Sequence, residues 1–212
     1  MIKYFALGDS LTVGFGALPT LGWTSRYRVM TERYFQRPVL YYERARMGAR
    51  SDEVLHMLYD TPADVVRQAD IITITAGGND LIQAARSFSH IPDPKFFWEA
   101  LNHCTRHLQL LIHYIERLKQ ERKSPYIIRM IELYNPFPYM PEGAVWVQRF
   151  NQNIRRLENG RIRVARIYKA FLHREPELIA LDGLHPNSRG HAVIASKVAE
   201  LGYGHLDSQK NG

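Results

Sequence analysis

A serine hydroxyl becomes an effective nucleophile only beside a base that takes its proton, and that base works best when a third group orients it. Two short segments of the chain supply these residue types. Gly8-Asp9-Ser10-Leu11 follows Tyr4 to Leu7, a run that reads as a short buried strand ending at Gly8. A serine at a strand-to-helix turn projects its hydroxyl from the sheet edge, where backbone N–H groups can face an anion. Far along the chain, Asp182-Gly183-Leu184-His185 sets a carboxylate and an imidazole three residues apart, so that both can lie on one side of a turn. Pro186 and Asn187 follow, and then a helix for which Asn187 or Ser188 is a fitting N-cap. Taken alone, each segment has a plainer reading. The first turn resembles a phosphate loop, although neither GxGxxG nor GxxxxGK[ST] is completed after Gly14 and Gly16. The second contains just one of nine histidines, and most histidines are surface or core residues.

Two further segments can serve a developing oxyanion. Gly77-Gly78-Asn79-Asp80 offers flexible backbone and a neutral side-chain N–H donor, though the same residues are common in plain turns. Gly48, in Arg46-Met47-Gly48-Ala49-Arg50, has an amide that no side chain shields; the plainer reading is a turn before a helix starting near Ser51. Other chemistry-bearing residues fit less well. His103 and His107 stand four apart, as two zinc ligands would, but no glutamate follows His103 and no third ligand is evident. Cys104 falls within an apolar stripe and reads as core, and His191 falls inside the last helix in a packing or solvated role.

These segments need a frame. Candidate strands are Tyr4–Leu7, Val39–Tyr42, Ile71–Ala76, Tyr126–Ile131 and Ile162–Ile167, and their continuous apolar, β-branched runs suit strands buried on both faces. Helical stripes alternate with them: Trp23, Tyr27, Met30 and Tyr34; Phe97 through Leu118 in steps of four and three; Val147 to Leu157; Ile194 to Leu201. The alternation predicts βαβ units, hence a parallel sheet with helices on both faces; the expected fold is a three-layer α/β/α sandwich with about five parallel strands, resembling flavodoxin-like order. Two segments rich in proline and aromatics, Phe88–Trp98 and Tyr134–Trp146, read as loops at the strand ends where ligands bind in such sheets.

Composition is consistent with this. The chain has 212 residues, 45% hydrophobic and 23% charged, which suits one domain over 1–212. Its single cysteine excludes an intramolecular disulfide. Asp9 interrupts any signal-peptide core and no apolar run nears the ~18 residues of a membrane span, so the expected location is cytoplasmic. Net charge is +7, with arginines at 26, 28, 33, 37, 44, 46 and 50, and reads first as a solvated basic face.

Together, Gly-Asp-Ser-Leu at 8–11, the glycine at 48, Gly-x-Asn-Asp at 77–80 and Asp-x-x-His at 182–185 resemble the four blocks of the GDSL, or SGNH, hydrolases, over nearly the whole chain. The resemblance implies a serine esterase or lipase with Ser10 as nucleophile, His185 as base and Asp182 as its partner. It also implies an oxyanion hole of the Ser10 and Gly48 amides with the Asn79 side chain, and no cofactor or metal. Its substrate would be a small-molecule ester, lipid or phospholipid among the candidates, with no nucleic acid partner. Carbohydrate acetylesterase and thioesterase are the nearer alternatives; a non-catalytic flavodoxin-like binding module is the distant one. Glu43 and Met47 depart from the family's usual residues around the second block. The start Ala-Leu-Gly-Asp-Ser-Leu-Thr-Val-Gly resembles germination-linked lipases of spore-forming bacteria, which implies spore association. Phe88, Phe96, Phe97 and Trp98, with Phe137, Tyr139, Met140 and Trp146, are expected to wall an acyl site, and Arg46 and Arg50 to draw in an anionic head group.

Overall fold

In the computed structural model, residues 1–121, 124–137 and 139–211 are described. Five strands, β1 (Ile2–Gly8), β2 (Val39–Ala45), β3 (Ile71–Ile74), β4 (Ile127–Ile131) and β5 (Ile162–Ala165), form one wholly parallel sheet in the order β2-β1-β3-β4-β5. This is the predicted flavodoxin-like order, in which the reversal beside β1 opens a crevice at the strand carboxyl ends.

Side chains alternate between the two faces, as pleating requires. Phe5, Leu7, Ile72, Ile74, Ile128, Met130, Ile162 and Val164 enter one core. Ile2, Tyr4, Ala6, Ile71, Ile127, Ile131 and Ala165 enter the other. Register keeps the sets aligned, with Phe5 opposite Ile72, Ile72 opposite Ile128 and Ile128 opposite Ile162. Burial on both faces explains why the inner strands read as largely apolar runs, interrupted by Thr73 in β3 and Arg129 in β4.

The helices are α1 (Ser10–Val13), α2 (Trp23–Phe35), α3 (Ser51–Tyr59), α4 (Ala63–Gln68), α5 (Gly78–His90), α6 (Lys95–Gln120), α7 (Pro141–Arg155), α8 (Tyr168–Phe171), α9 (Glu175–Leu178) and α10 (Ser188–Ala199), with a 3-10 turn over Gly204–Asn211. Residues of α3 to α7 fill the first core, and those of α2, α8, α9 and α10 fill the second. The long stripe from Phe97 to Leu118 lies on α6, buried along its length, with Cys104 inside it. Burial pushes the Cys104 thiol pKa well up, which removes it as a nucleophile.

One expected loop is mostly helix. Within Phe88–Trp98, α5 runs on to His90 and α6 begins at Lys95. Aromatics expected to overhang the sheet edge sit on helix faces instead: Phe97 is buried and stacks on Trp146 at 4.8 Å, and Phe88, Phe96 and Trp146 pack against the first core. Of that expected wall, Trp98, Tyr139 and Met140 stay exposed.

Candidate active site

Ser10 opens α1 directly after β1. Asp9 is the N-cap, its Oδ1 accepting from the Leu11 amide at 3.0 Å and from Thr75 Oγ1 at 2.8 Å. Burial raises the Asp9 pKa and these bonds oppose the rise, so its role is to hold the turn. Gly8 is required by space: a methyl there would collide with the hydroxyls of Thr75 and Thr12. The turn is thereby clamped to the end of β3. From above, Trp23 Nε1 donates to the Leu11 carbonyl at 2.8 Å.

His185 Nε2 lies 3.0 Å from Ser10 Oγ, across 175 residues of sequence. Its Nδ1 lies 2.6 Å from Asp182 Oδ2. The other Asp182 oxygen accepts the Leu184 and His185 amides, both at 3.0 Å. Partial burial pushes the Asp182 carboxyl upward, but the bonds from the His185 amide, the Leu184 amide and the imidazole outweigh it and hold the group below its usual range. A carboxylate bonded to Nδ1 fixes the tautomer, so Nδ1 carries the proton and Nε2 faces the serine as acceptor. The sequence-predicted Ser10, His185 and Asp182 therefore form one continuous hydrogen-bonded chain.

The loop bearing His185 is set by α10 and α9. Asn187 caps α10 through the Arg189 and Gly190 amides, and its Nδ2 reaches back to the Glu177 and Ile179 carbonyls. His191 is fully buried: Nδ1 accepts from the Trp23 amide at 3.2 Å and Nε2 pairs with the Phe15 carbonyl at 3.0 Å. The Phe15 ring in turn stands edge-on to His185 at 4.7 Å. Sequence alone treated His191 as ordinary packing; its bridge from α10 to both ends of the 15–23 loop has no local signature.

The second loop leaves β2, where Arg46 N–H donates to the Gly8 carbonyl at 3.1 Å. Gly48 has φ +72° and is exposed, and a Cβ there would meet nothing within 4 Å. Left-handed backbone, rather than space, is thus the reason for glycine. Glu43 turns outward on the edge strand and bonds Tyr41, so this departure leaves the Gly48 loop alone. Arg46 pairs with Glu53 and Arg50 with Asp52, so much of the charge expected to attract an anionic head group is offset by neighbouring acids.

Asn79 stands in the first turn of α5 and its Nδ2 donates to the Ala49 carbonyl at 2.9 Å, leaving a second N–H on the same nitrogen. Among the described residues, neither the Ser10 nor the Gly48 backbone N–H donates to a backbone carbonyl. The loops carrying Ser10, Gly48 and Asn79 leave the carboxyl ends of three adjacent strands, β1, β2 and β3.

Residues 6–193 match the family described as GDSL-like Lipase/Acylhydrolase. The chain is 36% identical over 209 residues to the spore germination lipase LipC of Bacillus licheniformis, covering 97% of this chain and 99% of that one. It is similar, at TM-score 0.94 and 36% identity, to the crystal structure of the lipase Lip_vut3 from a goat rumen metagenome, over 98% of this chain and 100% of that one. A likeness of fold alone, at TM-score 0.69 and 16% identity, links it to a lipolytic G-D-S-L family protein of Veillonella parvula, over 95% and 98% of the two chains.

Proposed function

Since the chain belongs to the GDSL-like lipase/acylhydrolase family and is a carboxylic ester hydrolase, we propose that Ser10 is its nucleophile, His185 its general base and Asp182 the group that orients the base. The observation that carries this is the unbroken Ser10–His185–Asp182 chain, at 3.0 and 2.6 Å. His185 Nε2 takes the Ser10 proton as Oγ attacks the ester carbonyl. The oxyanion forms against the amides of Ser10 and Gly48 and the free Asn79 N–H. His185 then returns the proton to the departing alcohol, and water activated by the same imidazole releases the acid. No step needs a cofactor. Family membership removes the non-catalytic binding module as a reading.

The preferred substrates are esters of medium or longer acyl chains. Exposed apolar side chains stand on the loops that carry the proposed site: Phe15, whose ring lies against His185, Leu181 next to Asp182 in sequence, Met47 next to Gly48, and Leu18, whose amide bonds Ser188. Tyr139 and Met140 are exposed as well, and Tyr134 donates to the Leu184 carbonyl at 2.7 Å. An apolar rim around a polar reaction centre suits a lipid acyl chain better than a sugar. No helix among the described residues is long and apolar enough to cross a membrane. Similarity to a spore germination lipase supports spore association.

Intact-mass analysis after fluorophosphonate treatment tests the nucleophile. One adduct at Ser10, absent in Ser10→Ala, is expected, together with a kcat loss of roughly 10⁴-fold or more in that variant. An adduct elsewhere, or an active Ser10→Ala, overturns the assignment.

A further inference from the structure

The segment 46–51 must hold the Gly48 amide still while hydrolysis proceeds, yet it is exposed at its apex. Its fixings lie on either side. At the near end, Arg46 N–H reaches the Gly8 carbonyl, and Glu53 takes the Arg50 amide at 2.9 Å and the Arg46 guanidinium. At the far end are two consecutive residues of α5. Asn79 donates to the Ala49 carbonyl at 2.9 Å. Asp80 accepts the Ser51 amide on Oδ2 at 2.9 Å and the Ser51 hydroxyl on Oδ1 at 2.6 Å. Ser51 is almost fully buried, and its Oγ also lies 2.9 Å from His107 Nδ1 on α6. A hydroxyl has one proton, and here that proton goes to the Asp80 carboxylate. His107 Nδ1–H therefore donates to Ser51 Oγ, giving the order His107 to Ser51 to Asp80.

This second Asp-Ser-His chain is not a second nucleophilic centre, because its serine is buried and its hydroxyl is given to the acid rather than to the base. Its position assigns another task. The proposed oxyanion donors come from separate loops, Gly48 after β2 and Asn79 after β3. Ser51, three residues after Gly48, and Asp80, next to Asn79, join those loops. Each Asp80 oxygen holds a different Ser51 donor, which resists both twist and translation, and His107 ties the junction to the longest helix. We propose that Asp80, acting through Ser51 and backed by His107, is a positioning residue that sets the separation of the Gly48 and Asn79 oxyanion donors.

The inference rests on the oxyanion reading above, and the test separates the two. Variants Asp80→Ala, Asp80→Asn, Ser51→Ala, His107→Gln and Asn79→Ala are compared on one soluble ester, with active sites counted by fluorophosphonate titration so that unfolded molecules drop out. Misplacing a donor by about an ångström can cost on the order of 10²-fold in rate. Asp80→Ala should therefore lower kcat by tenfold or more, with KM within about twofold of the parent value. Asp80→Asn keeps one acceptor for the Ser51 amide while its Nδ2 can only donate to Ser51 Oγ, which would then donate to His107, so it should recover part of that loss. Adding Asp80→Ala to Asn79→Ala should cost less than the product of the separate losses, since both act on one donor set. If Asp80→Ala does not fold, Ser51→Ala and His107→Gln carry the test, each expected to lower kcat at constant KM. An intact kcat in titrated Asp80→Ala, or in both substitutes, overturns the proposal. So does a rise in KM alone, or an Asp80→Asn variant as impaired as Asp80→Ala. An Asn79→Ala variant with full kcat sinks the oxyanion reading itself, whereas a crippled Asn79→Ala beside an unaffected Asp80→Ala sinks only the positioning role.

Discussion

Acidification from pH 7 to pH 4 requires His191 either to stay neutral or to break its contacts. One ring nitrogen accepts the Trp23 amide and the other donates to the Phe15 carbonyl, so the neutral ring is fully satisfied. A second ring proton would point at an N–H, inside a site closed to water. Burial is the main cause that pushes the His191 pKa down to about 4; the Phe15 bond opposes this and the charge of Arg26 assists. The unfolded chain takes up the proton near the ordinary value of about 6.5, so below that pH the unfolded state binds more protons and stability falls. The contribution is fully present above about pH 6.5, with about 2 kcal/mol lost by pH 5 and about 3 kcal/mol by pH 4. Other groups also titrate, so the comparison needs His191→Gln, whose amide keeps a donor and an acceptor but does not ionise. Urea unfolding of both proteins, followed by fluorescence that includes the buried Trp23, gives the stability gap at each pH. That gap should shrink by about 3 kcal/mol, in favour of the variant, between pH 7 and pH 4. A gap that stays constant over this interval would show that His191 does not carry the acid sensitivity and would refute the reasoning.

Three further outcomes are expected. In a series of acetyl, butyryl, octanoyl and palmitoyl esters of one alcohol, kcat/KM should climb by up to ~0.8 kcal/mol of transition-state stabilisation per methylene until the apolar rim is covered; a maximum at acetyl would contradict the acyl preference. Asp182→Asn should lower kcat by on the order of 10³–10⁴-fold, because the amide no longer fixes the tautomer of His185. Gly8→Ala should destabilise the fold by about 1–3 kcal/mol and depress activity, because its methyl meets Thr75 and Thr12; a variant with the parent's Tm and rate would count against the clamp.

What the sequence disclosed follows the range over which each signal acts. Asp182 and His185 stand three residues apart and Ser10 follows a strand, so their types and spacing were legible without a fold. The strands were legible because Ile71–Ile74 and Ile127–Ile131 carry isoleucines on both faces, with Thr73 and Arg129 as their one polar residue each. The helix Gly78–His90 was not, because it begins with Gly-Asn-Asp, which are turn formers, and the aromatic and proline residues around its end suggested a loop. Likewise Phe97 and Trp146, in segments that read as loops, find each other across 49 positions and become core. Ser51, Asp80 and His107 meet across gaps of 29 and 56 residues, and His191 meets Trp23 across 168. No window of sequence contains either junction; the sheet order creates both.

That order also fixes when the protein can first act during synthesis. Once translated through β5, the chain already holds Ser10, Gly48 and Asn79, but not the 182–185 loop or the α10 helix that closes over the 15–23 loop. With Ser10 as the proposed nucleophile and His185 as its proposed base, the serine waits without that base until the 182–185 loop and α10 have been made. On that assignment a nascent chain should be inert toward the esters around it, and one cut short after β5 should be silent. Hydrolysis should consequently report that this loop and α10 are in place: a fragment ending at β5 should give no background, and restoring the missing elements as a separate peptide would have to rebuild the α2–α10 contact before any turnover is seen.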